Sequence, residues 1–390
     1  MTLSQIKSPV ELPKWARERQ TIIERLNRTH SHLTKKSTTQ DFGFSTDLVW
    51  FRRMIGNPVS KITKLEQDMA PFQVDYHNAI QDFHWVIPLK SRKLGATETA
   101  ITSIALNCFD RYIGHDIMIV AGNEVRVAKE ILLRFYEFFE DREHKDGIYA
   151  FRGLDPTLVD KRHPWQKVHA EGHKYHYDDF IKSAHLSQDP TITFNNGTRV
   201  MAFAASRQEK AQTFRGADDV ICIFLSEAAH TGMKMDQPIM NALEPNLAQR
   251  DDGDFILEST GNGRRGFFHD YWMYSMEVLA KQYKQPVTRH QILVNEINND
   301  WKRGCKIKAE VDWFPLMWDY HVGLQANILS KKFIDKEKRN PKIDFAQEYE
   351  CAFTSTYSAA IDTSNISYKD PAAKDYVASI DYSEFLKEET

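Results

Sequence analysis

The sequence predicts an α/β fold in which a mainly parallel sheet is flanked by helices. Short apolar segments bounded by turn residues alternate with longer segments of helical periodicity, a pattern typical of a parallel sheet covered on both faces. Ligands of such sheets bind at the carboxyl ends of the strands, so the residues directly after each strand are candidate site residues. The predicted strands lie in DFHWVIPL, DIMIVAG, RVMAFAAS, DVICIFL and DFILEST, and predicted helices in TETAITSIALNCFDRYIG and EVRVAKEILLRFYEFF.

Composition excludes several classes of protein. The chain has 390 residues, which at roughly 150 residues per domain suggests two or three structural units. Its 51 Lys and Arg against 54 Asp and Glu give a net charge of -3, which excludes a wholly basic DNA binder. The 4 Cys lack CxxC spacing, so we expect neither a disulfide framework nor a cysteine zinc site. This use of cysteine is typical of a protein in a reducing cytosol. The chain has no apolar run of about 18 residues, so we expect a soluble, intracellular protein without membrane contact.

Residues 1–60 are predicted to form a small helical N-terminal unit, an arm or lid. Its first 36 residues hold eight Lys/Arg and three Glu, a marked local excess of positive charge. Helical spacing predicts an amphipathic helix between Trp15 and Leu33, followed by a second helical stretch in STDLVWFRRMIG. The basic residues either contact nucleic acid or a neighbouring subunit, or form the solvated face of a packing helix.

A candidate phosphate-binding loop follows the strand DFHWVIPL and precedes a helix, where backbone N–H groups and the helix dipole can meet an anion. Against the pattern G-x-x-x-x-G-K-[ST], Gly95 matches the second glycine and Thr97 the Mg²⁺-binding hydroxyl. Lys90 replaces the first glycine, and Ala96 replaces the lysine. Lys90 can still bring a point charge to the phosphates, but the loop taken alone is weak evidence and is more often an ordinary helix N-terminus. The loop comprises Lys90, Ser91, Arg92, Lys93, Leu94, Gly95, Ala96 and Thr97.

A candidate catalytic carboxylate, Glu227, follows the apolar strand Val220 to Leu225. Nucleotide hydrolases place an Asp-Glu pair at such a strand end, where the Asp holds Mg²⁺ through water and the Glu polarises the attacking water. Glu227 suits the second task. Ser226 stands at the first position, where a neutral hydroxyl brings no charge to the cation. A polar strand end that caps the next helix is the alternative.

Two further motifs complete the pattern. In Pro71-Phe72-Gln73, the Gln73 amide can read the adenine edge while the Phe72 ring packs on the base. A polar turn, Ser259-Thr260-Gly261-Asn262, ends the strand in DFILEST and can sense the γ-phosphate. The order of adenine motif, phosphate loop, strand-end Glu and polar turn predicts a P-loop NTPase of the ASCE, RecA-like type over residues 61–355, with ATP and Mg²⁺ as cofactors.

These motifs resemble those of the ATPase (motor) domain of viral terminase large subunits, which package DNA into capsids. The resemblance extends from about Pro71 to Phe353. It is carried by the Pro-Phe-Gln motif, the phosphate loop with its lysine at the front, the segment from FRG to EAA around Glu227, and the closing segment FAQEYECAF. It implies ATP hydrolysis coupled to translocation of double-stranded DNA into a procapsid through the portal.

The resemblance also implies roles for single residues. Lys90 would contact the phosphates, Arg92 would stabilise γ-phosphate charge, and Glu227 would be the catalytic carboxylate. Arg215 or a residue of the next subunit would be an arginine finger in trans. The Mg²⁺ of the nucleotide would lie at Thr97 and Ser226, and Ser259, Thr260, Gly261 and Asn262 would couple hydrolysis to movement.

The implied partners are the portal protein, the small terminase subunit and a homo-oligomeric ring, a pentamer, in the host cytoplasm and transiently at the capsid portal vertex. Residues 356–390 are interpreted as a linker and the start of a truncated nuclease domain, because YVASID resembles the first nuclease strand. A two-metal site needs several carboxylates, and Asp381 alone predicts no nuclease activity.

Two other functions stay open. A superfamily 2 helicase-like translocase would require a second domain of similar fold after the first. A non-catalytic nucleotide-binding subunit that only supports the packaging ring is compatible with Ala96 and Ser226, which remove one expected cation and one expected anion.

Overall fold

A computed structural model describes residues 48–55, 67–121, 125–139, 180–187, 190–204, 219–231, 236–248, 250–305 and 310–354. The amphipathic helix predicted between Trp15 and Leu33, the trans-finger candidate Arg215 and the segment 356–390 with Asp381 lie outside these residues. No helix among the described residues is long and apolar enough to cross a bilayer.

The predicted α/β fold with a mainly parallel sheet is confirmed. The strands are β1 (Trp85–Lys90), β2 (Asp116–Ala121), β3 (Ile181–His185), β4 (Thr191–Phe194), β5 (Arg199–Ala204), β6 (Val220–Ser226), β7 (Asp254–Glu258) and β8 (Phe314–Trp318). They form one sheet of order β3-β4-β5-β2-β6-β7-β1-β8. The six strands β5, β2, β6, β7, β1 and β8 are paired in parallel. At the far edge, the pairings of β3 with β4 and of β4 with β5 are antiparallel. The phosphate-loop strand β1 and the Glu227 strand β6 are therefore separated by β7 alone.

Each strand predicted from an apolar run is present, and β3, β4 and β8 are additional. Strand β8 contains Pro315 and lies at the sheet edge, where a residue without an N–H is tolerated. Strands β4 and β5 form a hairpin whose turn contains Asn196 and Gly197, with Gly197 at φ 91. Because β8 joins the same sheet, the chain after residue 290 adds to the first domain and forms no second sheet within the described residues.

Helices connect and cover the strands. They are α1 (Leu48–Ile55), α2 (Pro71–Phe83), α3 (Ala96–Asn107), α4 (Val125–Tyr136), α5 (Asp236–Leu243), α6 (Gly266–Tyr283), α7 (His290–Lys302), α8 (Tyr320–Gln325), α9 (Lys331–Lys338) and α10 (Phe345–Tyr349). Helix α2 packs against β1 and β8, and α4 packs against β2 and β5. Helix α3 begins directly after the phosphate loop, and nearly all of its residues are buried.

The second helical stretch predicted in the N-terminal unit corresponds to α1. This helix packs against α3. Its Phe51 is fully buried, and Arg52 Nη2 lies 2.8 Å from Glu98 Oε1 in the first turn of α3. Helix α1 is thus part of the packing of the sheet domain.

A buried ionic cluster holds the amino edge of the sheet together. Asp254, at the start of β7, is fully buried and accepts hydrogen bonds from the Arg111 guanidinium and the Tyr112 hydroxyl. His84 Nδ1 lies 2.9 Å from the other oxygen of Asp254. The cluster therefore ties the residues after α3 to β7 and to the start of β1, at the edge opposite the candidate site.

We expect Asp254→Asn to lower the free energy of unfolding by about 3–5 kcal/mol, because the variant leaves the Arg111 charge buried without its counter-ion. Chemical denaturation followed by circular dichroism measures the change. Asp251→Ala is the control, because this neighbouring carboxylate is exposed. Equal stability of the two variants would contradict a structural role for the cluster.

Candidate nucleotide-binding site

The loop between β1 and α3 has the backbone of an anion-binding turn. Lys93 (φ 64) and Gly95 (φ 75) both adopt left-handed conformations on either side of Leu94. The first bond of helix α3 runs from Thr99 N to Gly95 O, so the backbone N–H groups of Ala96, Thr97 and Glu98 have no acceptor within the helix. Successive residues of opposite backbone handedness turn their N–H groups toward one point, and with a following helix N-terminus these groups form a cradle for phosphate oxygens.

The front half of the same loop is tied to three other segments. Its backbone N–H groups donate to carbonyls at the end of β7, at the end of β8 and in α10: Lys90 to Ser259 at 3.0 Å, Ser91 to Trp318 at 2.7 Å and Arg92 to Glu348 at 2.9 Å. The anchored half therefore fixes the position of the half that leads into α3.

Lys90, the last residue of β1, lies between two carboxylates. Its Nζ donates to Glu227 Oε1 at 2.8 Å and lies 3.7 Å from Glu258 Oε1. Burial disfavours the charge of Lys90, but the two carboxylates outweigh burial and raise the pKa of its ammonium. The predicted phosphate contact and the predicted catalytic carboxylate are thus brought together by a direct ion pair.

Glu227 sits on a strained backbone at the carboxyl end of β6. Its φ is 54, in the left-handed region that a non-glycine residue occupies at a cost of about 1–3 kcal/mol. The side chain is 38% exposed, so its carboxylate can reach solvent. Burial opposes ionisation, but Lys90 overcomes it and lowers the pKa of Glu227. The carboxylate is therefore ionised and accessible, as a group that polarises water must be.

The sequence prediction missed Glu258, which is the most buried acid of the site. Thr97 Oγ1 donates to Glu258 Oε1 at 2.6 Å, and the Tyr76 hydroxyl donates to Oε2 at 3.3 Å. Burial raises the pKa of Glu258, and the Lys90 charge and the two hydroxyl hydrogen bonds act against that rise. A charged residue directly after the apolar residues Phe255 to Leu257 of β7 was the signal available in the sequence.

The predicted coupling turn contacts the loop that carries Glu227. Ala229 N donates to Ser259 Oγ at 3.1 Å, and Asn262 Nδ2 donates to Ala229 O at 2.7 Å. His230 Nε2 lies 2.8 Å from Thr260 Oγ1 and 3.9 Å from Glu227 Oε2. Side chains of the turn are thus hydrogen-bonded to the two residues that lie two and three positions after Glu227.

The other side of the coupling turn contacts the closing segment FAQEYECAF. Gly263 N donates to Gln347 Oε1 at 2.8 Å. A Cβ on Gly261 would lie 2.5 Å from the carbonyl oxygen of Ala352, so only glycine permits this approach. The turn therefore bridges the Glu227 loop and the closing segment.

Arg92 and Lys93 project from the loop toward solvent. Arg92 Nε lies 3.3 Å from Glu348 Oε2, and the Arg92 side chain is 53% exposed. Burial raises the pKa of Glu348, and Arg92 acts against that rise. A contact of Arg92 with γ-phosphate stays a prediction and would require Arg92 to leave Glu348.

Phe72 and Gln73 begin helix α2 beside the loop. Gln73 Oε1 accepts from Ala70 N at 2.8 Å, and its Nε2 donates to Leu94 O at 3.4 Å. The Phe72 ring is buried, with its centroid 5.5 Å from that of Trp318. Both residues support the loop in this arrangement, and the adenine contact stays a prediction.

The donor set fits a magnesium ion that is shared with a nucleotide. No group of three or more His, Cys, Asp or Glu in the described part of the chain could hold a metal by itself. Mg²⁺ usually takes one or two carboxylates together with substrate phosphates and water. The Thr97 hydroxyl, with Ser226 and Glu258 on adjacent strands beside it, supplies oxygen donors of that kind.

We expect Lys90→Met to destabilise the fold more at pH 8 than at pH 5. Without the ammonium, the pKa of buried Glu258 rises further above its unfolded value. The resulting loss of folding free energy is absent at a pH where Glu258 is protonated in both the folded and the unfolded state, and it grows as pH rises. It reaches about 3 kcal/mol if it equals the cost of breaking a buried ion pair. Thermal unfolding at the two pH values measures the effect.

Two matched variants accompany this measurement. Lys93→Met removes an exposed cation from the same loop and should leave the pH dependence of Tm unchanged. Lys90→Met combined with Glu258→Gln should cancel the additional loss at pH 8. An equal loss at both pH values in Lys90→Met would contradict the assigned charge balance.

No protein-family model matches the sequence, and no curated protein does. Among solved structures, the chain is similar to a large terminase ATPase domain from a Thermus phage, with 15% identity, a TM-score of 0.39, and coverage of 72% of this chain and 93% of that one. It is also similar to the HK97 bacteriophage large terminase, with 12% identity, a TM-score of 0.45, and coverage of 78% and 54%.

A further similar structure is the large terminase of a thermophilic bacteriophage in complex with ADP, with 13% identity, a TM-score of 0.40, and coverage of 76% and 54%. The chain thus spans about half the length of these last two large terminases. The matched structures are of the family that the sequence motifs resemble.

Proposed function

We propose that this chain binds ATP with Mg²⁺ at the carboxyl edge of the sheet, hydrolyses it, and acts as the motor of a viral DNA-packaging terminase. The observation that carries the proposal is the ion pair of Lys90 and Glu227, 2.8 Å long, directly in front of a loop that leads into the N–H groups at the N-terminus of α3. A cation and a strand-end carboxylate in contact with an anion cradle are the groups that phosphoryl transfer needs.

The ion pair suggests how binding prepares catalysis. Phosphate oxygens in the cradle compete with Glu227 for the Lys90 ammonium, because both are anionic and the ammonium is a single point charge. Movement of Lys90 to the phosphates frees Glu227 to accept a hydrogen bond from the attacking water. Mg²⁺, when bound with the nucleotide, would neutralise charge on the phosphates beside Thr97.

The proposed function includes the movement of DNA. Hydrolysis would drive double-stranded DNA through the portal into a procapsid, with the chain in a pentameric ring and in contact with the portal protein and the small terminase subunit. The contacts of the coupling turn with both the Glu227 loop and the closing segment support such a transmission of movement.

Steady-state ATP hydrolysis with Mg²⁺ tests the catalytic part. We expect Glu227→Gln to lower kcat by about 10²–10⁴, the usual contribution of a positioned acid or base. Lys90→Ala should lose both affinity for ATP and turnover. Glu277→Gln, an exposed carboxylate on α6, is the control and should keep wild-type turnover.

Double-stranded DNA distinguishes a motor from other ATPases, since its addition should raise wild-type turnover. Wild-type turnover in Glu227→Gln would contradict the assigned catalytic residue. A wild type that binds ATP but does not hydrolyse it, with or without DNA, would instead favour the non-catalytic supporting subunit, which Ala96 and Ser226 keep as the second candidate.

A further inference from the structure

The carboxylate that is missing at Ser226 is present on the adjacent strand. In the parallel pairing of β6 and β7, Ser226 is the register partner of Glu258. Register partners in a sheet lie next to each other, with strands about 4.8 Å apart. A neutral hydroxyl therefore ends the strand that precedes Glu227, and a carboxylate ends its neighbour.

The contacts of Glu258 are those that a metal-site carboxylate would make. It accepts a hydrogen bond of 2.6 Å from Thr97 Oγ1, the hydroxyl that the loop pattern assigns to Mg²⁺. A hydroxyl has one proton and two lone pairs, so Thr97 can donate to Glu258 and still offer an oxygen to a cation. Lys90 Nζ, at 3.7 Å from Glu258 Oε1, supplies positive charge at the same place.

Packing alone gives no reason for an acid at this position. Glu258 is fully buried at the end of a strand whose other central residues are apolar. Burying a carboxylate is costly unless it is paired and hydrogen-bonded. Its hydrogen-bond donors are the phosphate-loop threonine and Tyr76 of α2, and the phosphate-loop lysine lies at ion-pair distance, so two of its three partners belong to the candidate nucleotide site.

We propose that Glu258 takes the place of the absent strand-end aspartate: it orients the Thr97 hydroxyl and holds the Mg²⁺ that enters with the nucleotide. The inference rests on the proposed ATP-binding function and deepens it, because it assigns the metal to a carboxylate on β7. Since the described residues contain no group of three or more such side chains, Mg²⁺ should bind together with a nucleotide and not alone.

Nucleotide affinity measured with and without Mg²⁺ tests this assignment independently of turnover. Calorimetric titration with ADP, in saturating Mg²⁺ and in EDTA, gives the factor by which the metal improves binding. For Glu258→Gln we expect a loss of about tenfold or more in this Mg²⁺-dependent factor, which is the ratio of the two affinities. A purely structural role for Glu258 would lower Tm without changing that factor.

A swapped variant gives the matched control. Ser226→Asp with Glu258→Thr moves the carboxylate back to β6, and we expect it to recover most of the Mg²⁺-dependent factor. Circular dichroism checks folding, and if Glu258→Gln does not fold, the swapped variant and Glu258→Asp carry the test. Binding of Mn²⁺ to the ADP complex, followed by electron paramagnetic resonance, should show the same order of variants.

Two results would overturn the inference. One is a folded Glu258→Gln protein that keeps the wild-type Mg²⁺-dependent factor or, if that variant does not fold, a folded swapped variant that shows no Mg²⁺-dependent factor. The other is a wild type that binds no ADP in either condition, which overturns the proposed function as well. The two failures are distinguishable because only the first leaves wild-type nucleotide binding intact.

Discussion

The Lys90 ammonium lies between the carboxylates of Glu227 and Glu258, and the charge balance of the whole site depends on it. Two acids at the ends of neighbouring strands repel each other unless a cation separates them. Lys90 is almost fully buried, so solvent does little to screen the interaction. Displacement of this one cation by an incoming phosphate would change the surroundings of both acids at once.

The segments around the ion pair are connected tightly enough to respond to such a change. The backbone of Lys90 itself donates to Ser259, and the next two residues of the loop donate to β8 and α10. The coupling turn then contacts the loop after Glu227 on one side and the closing segment on the other. One continuous set of hydrogen bonds thus joins the phosphate loop, the candidate catalytic loop and the end of the described domain.

Strands and loops with strong local signals could be predicted from the sequence. Near-continuous apolar runs identified β1, β2, β5, β6 and β7, and the strand–loop–helix context identified the phosphate loop. The edge strand β8, a run of five residues, was not predicted. As a result, the packing of Phe72 against Trp318 of β8 could not be foreseen, and Phe72 was assigned only to the adenine base.

The role of Glu258 could also not be predicted from the sequence alone. Its strand was predicted, and an acid at the end of an apolar run is visible in the sequence. Its importance depends on strand order, because Ser226 and Glu258 become neighbours only when β7 pairs with β6. Strand order is set by tertiary packing across the sheet and not by local pattern, so the sequence showed a missing carboxylate but not its replacement.

The most direct measurement of the central claim is a structure of the chain with Mg²⁺ and a non-hydrolysable ATP analogue. We expect Lys90 Nζ within hydrogen-bond distance of a phosphate oxygen, and the contact of 2.8 Å with Glu227 Oε1 to be broken. Glu227 should then face the position of the attacking water. A bound nucleotide with the Lys90–Glu227 pair intact would contradict the account.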